Sequence, residues 1–419
     1  MAADRITATY YVETPLPLEQ AATVLAGEQS SGTFVDIPGE TADLKAKFAA
    51  RVERVTAVEE VDTPSLPGSR VKGGATRYTR GHVVVSWPAH NVGHNLPALV
   101  STLQGNLYEL SQFSGLKLLD FDLPTSFTDA YPGPRFGVAG TRELVKVESG
   151  KPMIGTIIKP SVGLTVAQTA DLVRTLVDAG IDFIKDDELQ TNAPHSPFDE
   201  RVSAVMRIIN DNADRTGRKV MYAFNISDEL DAMRRHYDKI VKAGGTCAMI
   251  SINPVGLSAT KSICDHGTLA IHGHRNGWGM LNRHPLLGMA FAAYQKLWRL
   301  AGVDQLHVNG IANKFWEPDD SVVESIAAAR TPLGNHKHTV CPVISSGQTG
   351  LQAPETYRRI QTADVLYLAG GGIAAHPSGH AAGVRALRQA WEAAVTGTPL
   401  DVYAQSHAEL QESMRMFAR

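Results

Sequence analysis

Residues 153–188, MIGTIIKPSVGLTVAQTADLVRTLVDAGIDFIKDDE, hold one full unit of the repeat that decides the fold. A short β-branched run breaks at Lys159-Pro160. Thr165 then offers an N-cap to a stretch that sets Leu172, Val173, Leu176 and Val177 on one helical face. Gly180 supplies the stop, and a second apolar strand begins at once.

Reading outward, the pattern recurs through MIGTIIKP, DFIKDDE, VMYAFNIS, CAMISINP, LAIHGHR, QLHVNG, CPVISSG and VLYLAGGG. Each apolar run ends in polar residues or glycine and is followed by a helical stretch. In one of these, Asp228 is the expected N-cap, Leu230, Met233, Tyr237, Ile240 and Val241 share the inner face, and Gly244 ends the helix. Eight strand–helix units over about 240 residues predict a closed parallel (β/α)8 TIM barrel rather than an open doubly wound sheet. The lack of a GxGxxG after the first strand argues against dinucleotide binding.

Upstream, residues 1–125 read as a separate α+β domain of ferredoxin-like kind. Strands are expected at 6–13, 52–61 and 76–87, with helices near 18–27, 43–51 and 96–111. The proline-bearing stretch 120–134 reads as the connection, so the barrel domain is expected over 126–419.

A net charge of −3 offers no basic field for a nucleic-acid backbone, so a substrate anion must be held by local groups. Three cysteines without CxxC spacing suit a reducing compartment and neither a disulfide framework nor a zinc site. The opening MAADRITATYYVE has no signal-like apolar core, and no apolar run is long enough to span a bilayer. A cytoplasmic protein that binds neither membrane nor nucleic acid is expected.

In a barrel of this kind the chemistry sits at the carboxyl ends of the strands. Those ends carry Lys159, then Lys185, Asp187 and Glu188, then Asn225, Asn253, His272, His274, Arg275, His307, Ser345 and Gly370–Gly372. Wet strand ends explain any one of these but not the set. Two carboxylates at Asp187 and Glu188 suit a hard dication such as magnesium; the Lys185 ammonium cannot be a ligand, and only a CO2-derived carbamate would turn it into a third oxygen anion. The plain alternative is a solvated charge run with a Lys–Asp pair. His272-Gly-His274 has the spacing of a metal pair, but it falls on the fifth strand, after the lysine, and Arg275 reads better as an anion clamp. Ser345-Ser346-Gly347 and Gly370-Gly371-Gly372 end strands seven and eight, the usual phosphate corner of a barrel.

These segments together resemble the RuBisCO large chain and, more closely, the RuBisCO-like proteins, over nearly the whole length. GTIIKPSVGLT is similar to the strand bearing the family's catalytic lysine, here Lys159. GIDFIKDDE resembles its magnesium motif, which implies a carbamylated Lys185 with Asp187 and Glu188 as ligands. IHGHRNGW implies an active-site His274 and a phosphate-binding Arg275, and DQLHVNGIANK a phosphate-binding His307 and the mobile-loop Lys314. ISSG and AGGG carry over Ser345, Gly347, Gly370 and Gly371 as phosphate contacts. GEQSSGTF and QGN resemble segments that complete a neighbouring subunit's site, which implies a homodimer with shared sites and roles for Glu28, Thr33 and Asn106.

Two departures separate the chain from a carboxylase. Ser161 stands where KPK would supply a second lysine, and Trp278 stands where HRxxH would supply another histidine. The stretches FNISDELDAMRRHYDKIVKAGGT and HGHRNGWGML are most similar to the branch acting on 3-oxo-isoapionate 4-phosphate. The resemblance implies magnesium-dependent decarboxylation of that β-keto acid. Alternatives are transcarboxylation with hydrolysis of the same substrate, an enolase or isomerase acting on a keto-sugar phosphate, and a non-catalytic sugar-phosphate binder, the last disfavoured by the intact KDDE.

Overall fold

The computed structural model describes residues 4–32, 37–70, 74–335 and 339–418. The chain packs as two compact units, the first of residues 1–132, 277–300 and 332–337, the second of the remainder.

In the first unit the strands Arg5–Thr14, Arg51–Val61, Tyr78–Pro88 and Gly115–Asp122 interleave with the helices Leu18–Glu28, Ala42–Phe48 and Leu96–Leu103. Taken in chain order, these four strands lie fourth, first, third, second across the sheet and pair antiparallel. That is the ferredoxin-like arrangement. Two expectations fail here. The helix expected over 96–111 stops at Leu103, and the strand Gly115–Asp122 was not foreseen. Its sequence, GLKLLDFD, hides the pattern by placing a lysine between core leucines. Lys117 is buried, and its Nζ donates to the carbonyls of Asn282 and His284, both at 2.9 Å. Burial lowers its pKa to about 8. The same strand pairs in parallel with Leu287–Met289, so the segment 277–300 belongs to this sheet although it follows the fifth barrel strand in sequence. Trp278, Phe291, Tyr294 and Trp298 stack there as one aromatic cluster.

The second unit is the closed barrel of Met153–Ile157, Phe183–Lys185, Met221–Asn225, Cys247–Ser251, Ala270–His274, Gln305–His307, Cys341–Ile344 and Leu366–Leu368. Every neighbouring pair is parallel. The interior is a packed core of Met153, Phe183, Met221, Met249, Val343 and Leu366, with Val145 of the helix Gly137–Val145 in the same cluster.

Thr165 caps the helix Val166–Asp178 in a capping box with Gln168, and Val173, Leu176 and Val177 are buried while Leu172 is half-buried. The helix Leu230–Lys242 departs further from expectation. Its N-cap is Glu229, the Asp228 carboxylate accepts the adjacent Glu229 N–H rather than one further into the helix, and Leu230 and Val241 are half-buried. His236 takes an inner position beside Met233, Tyr237 and Ile240, because its ring stacks on Phe198 at 4.1 Å. Gly180 and Gly244 follow these two helices with φ of +77° and +78°, a conformation only glycine adopts cheaply.

No helix among the described residues is long and apolar enough to cross a membrane.

Asp304, ahead of the sixth strand, ties barrel strands to the helix Gly137–Val145. One carboxylate oxygen accepts the Phe136 and Gly137 N–H groups at 2.6 and 3.0 Å, the other that of Ile271 at 2.8 Å. Burial pushes its pKa up to about 6, with these N–H donors working against the rise. Asp304→Asn turns a donor toward one of these N–H groups, so denaturant unfolding should show a loss of about 1–3 kcal/mol, the cost of an unsatisfied buried donor. Unchanged stability would refute the role.

Candidate active site

The second strand ends at Lys185, and the next three residues diverge. Asp186 turns into the protein. Its carboxylate accepts Tyr222 Oη at 2.6 Å, the Asn225 N–H at 2.9 Å and Arg201 Nη2 at 3.2 Å. Arg201, fully buried, also donates to the Ser196 and Thr191 carbonyls. The Asn225 amide in turn donates to the carbonyls of Asp187 and Glu188, at 3.3 and 3.1 Å. The backbone of the acidic pair is therefore held from below.

Above it, Lys159 Nζ donates to Asp187 Oδ2 at 2.7 Å and to Ser161 Oγ at 2.8 Å. Burial works to raise the Asp187 pKa, and the hydrogen bonds from Lys159 and the Leu189 N–H outweigh it, so this carboxyl lies below the usual range. Lys185 is buried, donates to the Asp186 carbonyl at 2.8 Å and lies 3.7 Å from Glu188 Oε2. Burial lowers its pKa, with Glu188 and Asp187 opposing. His274 Nε2 stands 3.5 Å from the same Glu188 oxygen, and its Nδ1 accepts the Asn276 N–H. Burial first, then the Lys185 charge, lowers the His274 pKa to about 3, so the ring is neutral.

His307 meets His272 nitrogen to nitrogen at 2.8 Å and Ser345 Oγ at 3.0 Å. Arg275, expected as an anion clamp, donates to Glu317 at 2.9 Å within the protein, and Asn309 donates to the same carboxylate oxygen. Lys314 is exposed, with its backbone N–H bonded to the Ser346 carbonyl at 3.1 Å. At the phosphate corner the left-handed backbone calls for glycine at Gly347, while at Gly370 a Cβ would make only ordinary contact. A Cβ on Gly347, whose φ is +86°, would come 3.3 Å from Lys314 Cβ, and one on Gly370 would come 3.7 Å from Lys159 Cε. Gly371 opens a single helical turn, Gly371–Ala374, whose first N–H groups have no helical acceptor.

The barrel unit thus links Lys159, Lys185, Asp187, Glu188 and His274, and the His274 ring, 4.3 Å from that of His307, carries the set on to Ser345, with Lys314 bonded beside it at Ser346. Glu28 and Asn106 are exposed residues of the first unit, and Thr33 lies outside the described residues. Sequence reading missed Asp186, Arg201, Tyr222, Gln305 and Glu317. For Gln305 a signal existed, since a polar residue two before His307 shares its inward strand face.

Asp186→Asn leaves the buried Arg201 without its counter-charge. Chemical denaturation should show a loss of about 3–5 kcal/mol, with Tyr222→Phe costing about 1 kcal/mol. Two near-wild-type unfolding curves would show that the network does not hold the acidic pair.

A family model of the ribulose bisphosphate carboxylase large chain catalytic domain matches residues 137–417, and that of its N-terminal domain matches residues 2–127. A 3-oxo-isoapionate-4-phosphate transcarboxylase/hydrolase of Xanthobacter autotrophicus is 53% identical over 98% of this chain and 99% of that protein. A 3-oxo-isoapionate-4-phosphate decarboxylase of Rhizobium etli is 47% identical over 99% of both. The crystal structure of a rubisco-like protein from Burkholderia fungorum superposes with a TM-score of 0.93 at 46% identity, covering 99% of this chain and 100% of that one. With both family domains matched in order and identities of this size across the full length, the chain belongs to the RuBisCO large-chain family, as a RuBisCO-like protein.

Proposed function

We propose that the chain decarboxylates 3-oxo-isoapionate 4-phosphate at the mouth of its barrel, as a magnesium-dependent lyase of carbohydrate catabolism. The observation that carries this is the convergence of Lys159, Lys185, Asp187 and Glu188 in a chain whose relatives at 47% and 53% identity are named for that substrate.

The donor set fits magnesium. Asp187 and Glu188 offer the oxygens a hard dication prefers. The family resemblance supplies the third anionic ligand as a carbamate on Lys185, which stands beside Glu188. The buried Lys185 amine, with pKa lowered and 3.7 Å from Glu188, would add CO2 with release of a proton to form that carbamate. A magnesium ion held by these residues would supply Lewis acidity to stabilise negative charge on the substrate's keto oxygen.

The remaining work falls to the chain. Gly347, Gly370 and Gly371 hold the phosphate with backbone N–H groups, and Arg275, His307 and Ser345 border it. The bond to the carboxylate carbon breaks, CO2 leaves, and its electron pair passes into the enolate. Lys159, held at Asp187, is the general acid that protonates the carbon, and neutral His274 donates to a substrate oxygen. Ser161 and Trp278 argue against carboxylation of ribulose 1,5-bisphosphate. The first carries no charge and only bridges Lys159 and the Asp187 carboxylate by hydrogen bonds, and the second stacks on Tyr294 within the N-terminal unit.

A second reading, transcarboxylation and hydrolysis of the same substrate, is favoured by Lys314, the family's CO2-handling lysine, and by the relative at 53% identity. Three unpaired thiols suit a cytoplasmic setting for either reaction.

NMR of the purified protein with magnesium, bicarbonate and 3-oxo-isoapionate 4-phosphate should show CO2 and a ketose phosphate one carbon shorter. Two carboxylic acids without net CO2 would select the second reading, and no turnover would refute both. Lys185→Ala should lose turnover by about a hundred- to a thousandfold or more, the usual scale for removing a charge-stabilising group, and should lose the carbamate signal expected with carbon-13 bicarbonate. Full activity in that variant would remove the carbamate from the mechanism. Radiolabelled CO2 should not enter 3-phosphoglycerate from ribulose 1,5-bisphosphate above a Lys159→Ala control.

Glu28, Thr33 and Asn106 serve the barrel of the other protomer in a homodimer, a reading supported by the exposure of Glu28 and Asn106 on the N-terminal unit. Asn106→Ala and Lys185→Ala proteins, each inactive, should regain partial activity when mixed and allowed to exchange subunits. Exchange without recovery would rule the shared site out.

A further inference from the structure

A line of buried polar side chains runs through the barrel from Thr141 to Ser345. Its hydrogen-bond direction follows from a single fixed end. Thr141 Oγ1 donates its only proton to the Gly137 carbonyl at 2.5 Å. Its oxygen therefore accepts from Gln305 Nε2 at 3.3 Å, which turns the Gln305 Oε1 toward His272 Nδ1 at 2.9 Å. The reversed amide would set its oxygen against a hydroxyl with no proton left to give.

From there each ring determines the next. His272 must carry its proton on Nδ1, leaving Nε2 bare. His307 Nε2, 2.8 Å away, must then be the protonated partner, which leaves His307 Nδ1 bare to accept the Ser345 hydroxyl at 3.0 Å. Thr141, Gln305 and His272 are fully buried and His307 nearly so, and burial holds both imidazoles neutral, so no second proton blurs the direction.

We propose that Thr141 and Gln305 are positioning residues which, through His272, lock His307 as the Nε2–H tautomer and make Ser345 an acceptor toward whatever binds beside it. Ser345 has one proton, and it goes inward because His307 Nδ1 at 3.0 Å is the nearer acceptor, with Ser346 Oγ at 3.4 Å. The Ser345 oxygen is then suited to a substrate hydroxyl and unsuited to donate to a phosphate, which leaves the phosphate to the glycine N–H groups. This consequence for binding rests on the substrate class proposed above, whereas the tautomer assignment does not.

The test uses full-length protein labelled with nitrogen-15 histidine, read without substrate by long-range proton–nitrogen correlation. Wild type should show His307 protonated at Nε2 and bare at Nδ1, with His272 the reverse. Thr141→Val, which frees the Gln305 amide to turn, and Gln305→Leu, which removes it, should mix or invert that pattern, and Thr141→Ser should retain it. The KM for 3-oxo-isoapionate 4-phosphate should rise about tenfold in the first two, the scale of one hydrogen bond, with kcat little changed, and stay near wild type in Thr141→Ser. A wild-type His307 protonated at Nδ1 overturns the proposal even if no variant folds, and so does a pattern unmoved in Gln305→Leu. Wild-type protein with the expected tautomers but no turnover of this substrate refutes the substrate and leaves the relay standing.

Discussion

The site depends on a carboxylate that takes no part in it. Asp186 sits between Lys185 and Asp187 in sequence but points the other way, into a buried set of Arg201, Tyr222 and the Asn225 backbone. A buried charge of this kind is tolerable only when its hydrogen bonds are complete. Once they are, the strand end has no freedom to rotate. Lys185 and Asp187 must then emerge on the opposite side, and Asn225 fixes the carbonyls of the pair that follows.

The electrostatics around that strand end follow from depth. His272, His274 and His307 are held neutral chiefly by burial, with Lys185 adding to the effect. Neutral rings are direction-sensitive, because each has one donor and one acceptor. A cationic cluster would bind any anion. This one orders hydroxyls and lone pairs, and leaves charge to Lys159, Lys185 and the two acids.

Arg275 and Glu317 add a different constraint. Glu317 closes the loop that carries Lys314, and it gathers Arg275, Asn309 and Ser321 on one carboxylate. The start of the same loop is tied to the seventh strand through Asn309 and Ser346. The lysine-bearing loop is thus anchored at one end to the fifth strand through Arg275 and at the other to the seventh through Ser346, while Lys314 itself remains exposed.

Local chemistry determined the eight strands, the Thr165 cap, the helix ends at Gly180 and Gly244, and the grouping of KDDE with Lys159, because period, caps and strand ends are written in neighbouring residues. The strand Gly115–Asp122 escaped, since burying Lys117 requires two carbonyls from 165 residues and more away. Strand alternation sets Asp186 and Asp187 on opposite faces, but what Asp186 does there is decided only by its distant partners Arg201 and Tyr222. His236 likewise looks like a surface residue until Phe198 stacks on it. The hydrogen-bond direction at His307 begins at Gly137, 170 residues earlier in the chain, and so only the closed barrel decides it. In each case the deciding partner is distant along the chain, and a buried polar group acquires its role only when that partner arrives.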